Sequence, residues 1–172
     1  MQKVCKKHFH EHIAKPLRLN VTRYISNKKN QSNKARAFKD GEWKALKNQG
    51  DKEFGAAYGI NTNAKDFARW IIALMNKEGL NKENYQELFK NQTILPEDHP
   101  NRAQGVSALT LGFYAGDLPI GRIYGHEGNN DREFTCMFYF IPEMKWGTVL
   151  FTNSSHGEQI GLKLFQYMLS IQ

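Results

Sequence analysis

An imidazole, a carboxylate and two side-chain amides fall within five residues at His126-Glu127-Gly128-Asn129-Asn130. Tyr124-Gly125 leads into them. The flanking segments Thr110–Tyr114, Ile120–Tyr124, Glu133–Ile141 and Trp146–Asn153 are rich in aromatic and β-branched residues and read as strands. A His followed by Gly at the entry to a strand, with backbone amides released by a turn, makes an edge that could hold an oxyanion or a carboxylate. The competing reading is a plain hairpin turn, which suits Gly and Asn equally well.

Other chemistry-bearing clusters are weaker. His8 and His12 in His8-Phe9-His10-Glu11-His12 are four apart, so one helical face could present both to a metal. The Glu directly precedes His12, unlike the His-Glu-x-x-His of metalloproteases, and no third ligand is evident. The segment reads as a solvated helix face, and no metal and no cofactor are expected. Asp98-His99 is an acid–base pair on a surface loop. Ser154-Ser155-His156 sets hydroxyls beside an imidazole, but without an orienting acid it reads as a strand-end turn. Ser26-Asn27-Lys28-Lys29 has Ser-x-x-Lys spacing in a polar stretch with no apolar helical continuation. It lacks the rigid setting a nucleophile needs.

Several elements must position these residues. Residues 1–15 can form a helix ended by Pro16. Residues 26–53 are polar and basic, with Phe38 and Trp43 between the lysines. The reading is a long solvated loop; the alternative is an aromatic-and-basic surface for a polyanion. Phe67, Trp70 or Ile71, Leu74 and Met75 recur at helical spacing, after Thr62 or Asn63 as cap and Asp66 in the first turn. Gly79 is expected to stop that helix. A second helix fits Lys82–Asn91, and 92–109 reads as loop. A last helix fits Glu158–Ile171, with Ile160, Leu164, Tyr167, Met168 and Ile171 on its apolar side.

With 172 residues, 40% of them hydrophobic, the chain can build one domain with a core. Lys and Arg number 24 against 17 acids, a net charge of +7, which gives weak attraction to anionic surfaces but does not point to nucleic acid. Cys5 and Cys136 form no metal or redox spacing and read as free thiols. No apolar run reaches membrane-spanning length, and the basic N-terminus is followed by no apolar stretch, so it is no secretion signal.

Tyr124-Gly125-His126-Glu127-Gly128, Phe134, Ile141-Pro142-Glu143 and Gly147–Asn153 together resemble the C-terminal part of the β-lactamase-related serine hydrolases. That family includes class C β-lactamases, D-alanyl-D-alanine carboxypeptidases and esterases. Ile13-Ala14-Lys15-Pro16-Leu17-Arg18-Leu19 is similar to its Ile-x-x-Pro-Leu-Gly-Met segment, with Arg18 in place of Gly. Ala57–Trp70 is similar to its Ala-Gly-Gly-Leu-x-Ser-Thr-Ala-x-Asp-Leu-Ala-Arg-Phe, with Tyr58 for Gly and Asn63 for Ser or Thr. Ala35–Trp43 loosely resembles a hairpin region.

The resemblance implies an α+β fold, an antiparallel sheet with flanking helices. It also implies one partial domain: helix and Pro-Leu segment 1–25, basic loop 26–54, helical part 55–109, sheet and C-terminal helix 110–172. It implies hydrolysis of a small-molecule ester, amide or β-lactam through an acyl-enzyme. His126 takes the third-motif position, Asn129 offers a backbone N–H to the oxyanion, and Glu127, Gly128 and Asn130 line the substrate. Glu133 stands where the family has Gly. The Ser-x-x-Lys and Tyr-x-Asn motifs, which carry the covalent step, are not matched. The expectation is a C-terminal piece, inactive alone, that needs its missing N-terminal segment. The alternative is a non-catalytic binding module using the basic 28–52 stretch. Relatives are periplasmic or secreted; the compartment of this chain is open.

Overall fold

The computed structural model describes residues 2–24, 33–45, 59–130, 133–154 and 156–171. Helix α1 (Gln2–Phe9) continues as a wider π-type turn over His10–Ala14. A small hairpin pairs β1 (Phe38–Lys39) with β2 (Glu42–Trp43). Asp40 and Gly41 both take positive φ at its turn, as a tight hairpin requires. Helices α2 (Ala64–Met75) and α3 (Lys82–Phe89) follow. The main sheet then runs β3 (Thr93–Ile94), β4 (Ala108–Leu109), β5 (Tyr114–Leu118), β6 (Gly121–Asn130), β7 (Phe134–Ile141) and β8 (Trp146–Thr152). All neighbours pair antiparallel, in sequence order. Helix α4 (Gly157–Ser170) closes the chain.

Strand alternation gives β6 and β7 two faces. Tyr124, His126, Gly128 and Asn130 pair with Phe140, Phe138, Cys136 and Phe134 on one face. Gly125, Glu127 and Asn129 pair with Tyr139, Met137 and Thr135 on the other. The first face carries the core. Phe140, Tyr124, Phe113 and Tyr85 are buried there with Ile71, Leu74 and Met75 of α2. Phe67, Trp70, Phe89 and Phe138 pack against them. The rings meet at offset or edge angles, with Phe89–Tyr124 centroids at 4.7 Å and Phe67–Phe138 at 5.0 Å. Such pairs add about 0.5–1.5 kcal/mol each beyond area burial.

The helical spacing of Phe67, Trp70, Leu74 and Met75 is therefore core, as the sequence predicts. Asn63 is the cap, accepting from the Asp66 N–H at 2.8 Å. Helix α2 ends at Met75, before Gly79; Asn76 caps it and Lys77 turns left-handed at φ 58. Residues 92–109 hold more order than a loop, namely β3, a 3-10 turn over Pro100–Gln104, and β4.

Asp66 does more than face the helix dipole. Its carboxylate is 3% exposed and accepts from the Val21 N–H (2.8 Å), the Thr22 N–H (3.2 Å) and the Thr22 hydroxyl (3.0 Å). Arg69 pairs with its second oxygen at 3.3 Å and also donates to the Arg18 carbonyl. One buried carboxylate thus ties the segment after Pro16 to α2 across more than forty residues. Arg18, standing where the resembling segment has Gly, adopts φ 53, a left-handed conformation that glycine takes at no steric cost. Asp66→Ala leaves two backbone N–H groups without their acceptor. We expect a loss of about 2–4 kcal/mol in urea unfolding, with a smaller loss for Asp66→Asn.

Candidate active site

The Tyr124–Asn130 stretch is not a turn. It is the last seven residues of the ten-residue strand β6, paired to β7 throughout. Its glycines serve close approach rather than bending, since neither Gly125 nor Gly128 has positive φ. A Cβ at Gly125 would collide with the Tyr139 ring and lie 2.7 Å from the Phe138 carbonyl. A Cβ at Gly128 would lie 3.1 Å from the Cys136 sulfur. The turn into β6 is instead made at Gly121, with φ 136.

His126 is exposed, and its backbone pairs with Phe138. Its ring stacks on Tyr114 at 5.0 Å, with 7° between planes. Tyr114 is the first residue of β5, and its pairing with Gly125 is the last rung between those strands. From His126 to Asn130, β6 runs on past β5. The Glu133 N–H donates to the Asn130 carbonyl at 2.7 Å across the hairpin, which sets the parity of the ladder. Residues 126, 128 and 130 turn their backbone groups to β7, whereas Glu127 and Asn129 turn theirs outward, along the edge beyond β5. Tyr114 is the neighbour that sequence reasoning missed. Only the β5–β6 register brings it to His126, and no spacing in the chain announces it.

The remaining site residues divide between the faces. Gly128 and Asn130 share the His126 face, and Asn130 is exposed. Glu127 and the Asn129 side chain lie on the opposite face, where α4 packs. There burial pushes the Glu127 carboxyl up, Glu158 adds to the rise, and His126 opposes it. Tyr139, on the same side, is pushed up to about 12 by burial and then by Glu127 and Glu158. Burial likewise raises the Cys136 thiol.

The other candidates lie elsewhere. His8 and His12 are exposed and stack at 5.3 Å. Among the described residues no group of three or more His, Cys, Asp or Glu could hold a metal ion. His99 accepts from the Asn101 N–H and so caps the Pro100 turn. The Ser154 hydroxyl accepts from the His156 N–H at the start of α4. Arg36 donates to the Lys44 and Trp43 carbonyls across the small hairpin. Ser26, Lys28, Lys29, Lys47, Lys52 and Ser155 lie outside the described residues. No helix among the described residues is long and apolar enough to cross a membrane.

An antiparallel sheet with helices stacked on it, and an exposed His-x-Gly on a strand that among the described residues has no partner beyond Tyr114 on the β5 side, accompany a β-lactamase-like fold. The family profile for Beta-lactamase matches residues 5–172, and the chain belongs to that family. Its members form a serine-hydrolase superfamily that works through acyl-enzymes. The fold is similar to that of an octameric penicillin-binding protein homologue from Pyrococcus abyssi, at 18% identity and a TM-score of 0.72 over 96% of this chain and 37% of that one. It is also similar to a D-stereospecific amidohydrolase from Streptomyces sp., at 18% identity and a TM-score of 0.66 over 87% of this chain and 44% of that one. The chain thus spans less than half the length of these two structures. No curated protein matches it in sequence.

Glu127 supplies a pH test. Its folded pKa is raised, so the folded chain holds this proton to higher pH than the unfolded chain does. The group favours folding at low pH, and that contribution is lost as pH rises through the folded pKa. Glu127→Gln should therefore raise the melting temperature at neutral pH. The difference should vanish below the ordinary carboxylate range, as followed by thermal melts across pH.

Proposed function

We propose that β6 forms one wall of an acyl-transfer site for a small-molecule ester, amide or β-lactam. The nucleophile in this reading is a serine of a Ser-x-x-Lys motif on another stretch of polypeptide. The observation that carries the reading is the exposed His126 at the point where β6 extends past its last rung with β5, stacked on Tyr114. A serine Oγ would attack the substrate carbonyl from that edge. The tetrahedral oxygen would take its hydrogen bond from the Asn129 N–H, and a hydrogen bond of this kind is worth about 10²–10³-fold in rate. Collapse breaks the C–O or C–N bond, the serine's proton ends on the departing oxygen or nitrogen (which in a β-lactam stays tethered in the opened ring), and the acyl-serine left behind is cleaved by water. His126 would meet a substrate carboxylate or the charge developing next to it, held in place by the flat face of Tyr114. Asn130 and Gly128 would line the same face, Gly128 by leaving room.

Two measurements test this. Intact mass after treatment with a fluorophosphonate, and separately with a penicillin, should show no adduct on the folded chain alone. An adduct on Ser26, Ser154 or Ser155 would show a self-contained nucleophile and sink the reading. With a complementing polypeptide bearing Ser-x-x-Lys, the adduct should appear on that serine. His126→Ala should then lower turnover about 10²-fold, the scale of one lost electrostatic contact in such a site.

A further inference from the structure

His8 and His12 stand four residues apart and have no part in the acyl-transfer reading. His8 lies near the end of α1, and His12 lies in the π-type turn that continues it over His10–Ala14. Residues four apart on a helix are neighbours along its surface. Both side chains are exposed, with ring centroids 5.3 Å apart and planes 18° from parallel. A wider turn of this kind is rare in helices and recurs at functional sites. Here the Lys15 N–H closes it on the His10 carbonyl at 2.8 Å, and Ala14 is its buried residue, 2% exposed. The two imidazoles belong to one continuous helical element. Their spacing is therefore set locally and does not depend on any other stretch of polypeptide.

That spacing suits a chelate. An imidazole nitrogen binds an ion such as Zn²⁺ at about 2.0–2.1 Å. A tetrahedral ion bonded once to each ring would hold the two centroids about 5 Å apart. The observed separation of 5.3 Å already matches this without backbone movement. Only the rings need to turn, and the second torsion of histidine has a broad well. Imidazole nitrogen suits Zn²⁺, Ni²⁺ and Cu²⁺, whereas Mg²⁺ and Ca²⁺ take oxygen ligands. The charged residues next to the two histidines in sequence offset each other: Lys7, before His8, meets Glu11, before His12, at 3.8 Å. Among the described residues no third His, Cys, Asp or Glu completes a cluster with them. A four-coordinate ion held by this pair keeps two positions for water.

We propose that His8 and His12 chelate a late first-row divalent ion (Zn²⁺, Ni²⁺ or Cu²⁺), with water filling the remaining positions. One bond goes to α1 and one to the turn that follows, so the ion clamps the junction between them. The competing account is two solvated rings that share a helix face and bind nothing, which is the expectation from sequence. Binding requires each ring to offer a nitrogen lone pair, so acid should release the ion. The proposal stands apart from the acyl-transfer reading, because no residue of β6 takes part in it.

The test is calorimetric titration of the whole chain with Zn²⁺, in a Cys5→Ser background that removes the thiol three residues before His8. Saturable uptake is expected. His8→Asn and His12→Asn should each weaken it at least about tenfold, since even residues that only orient a ligand are worth that much. His10→Asn removes an exposed histidine from between them and should leave binding unchanged. All three positions are exposed, so circular dichroism should not change. Mg²⁺, which demands an octahedral shell of oxygens, should give no saturable heat. A chain that takes up no Zn²⁺ overturns the proposal. Uptake indifferent to His8→Asn or to His12→Asn overturns it too, because the ion then sits at other residues. Equal weakening by His10→Asn does the same.

Discussion

The ring layer between α2 and the β6–β7 face is the constraint on which the rest of the structure depends. Phe140 is fully buried; the rings of Phe89, Phe113, Tyr124 and Phe138 meet it, and Phe67 and Trp70 of α2 pack on Phe138. Each ring touches several others, so no element can shift without opening voids beside large side chains. This layer sets the height of α2 above the sheet. It also holds Tyr124 inward, and two residues on, where the core ends and β5 stops, His126 is exposed and stacks on Tyr114. The exposed imidazole is thus a consequence of core packing immediately upstream.

A second, polar anchor complements the apolar one. The segment from Leu19 to Thr22 buries Leu19, and the Asp66 carboxylate holds its backbone at Val21 and Thr22. A buried carboxylate is costly unless its lone pairs are filled, and here two backbone amides, a hydroxyl and Arg69 fill them. The same arrangement satisfies the amides of a segment that, among the described residues, has no strand partner beyond the Arg23–Asn61 rung. Asp66 is therefore both a helix N-terminal acid and a tether, and its second role has no local signature.

The two faces of β6 carry different duties. On the core face, removing side chains at Gly128 makes room beside Cys136 and leaves His126 reachable. On the α4 face, Gly125 admits the Tyr139 ring, and Glu127 lies where burial and Glu158 disfavour its charge. A strand with glycine at alternate-face positions this close together can hold tight packing on one side and an open site on the other. The asymmetry continues at the sheet edges. At β6 the edge opens because β5 stops at Tyr114. Among the described residues β8 is the last strand of the sheet, and Phe38 meets its end at Asn153.

By itself the sequence determined the family, the α+β class, the core stripe of α2 with its Asn63 cap, and the strands around His126. These are local matters: periodicity, capping and short motifs survive in a linear reading because they depend on residues a few positions apart. Tertiary structure alone decided that Tyr124–Asn130 is strand rather than turn, because ladder pairing with β7 overrides the turn preference of Gly and Asn. It alone brought Tyr114 onto His126 and Asp66 onto Val21 and Thr22, since register and docking join residues that no spacing relates. It also reversed the reading of α4. The helical period marked Ile160, Leu164, Tyr167, Met168 and Ile171 as one apolar side, of which Met168 is half-buried and the other four are exposed, but a period cannot say which side meets the sheet. The close fit of Gly157 and Gly161 against Thr152 and Met137 settled that, because only a residue without a side chain lets the helix approach so near.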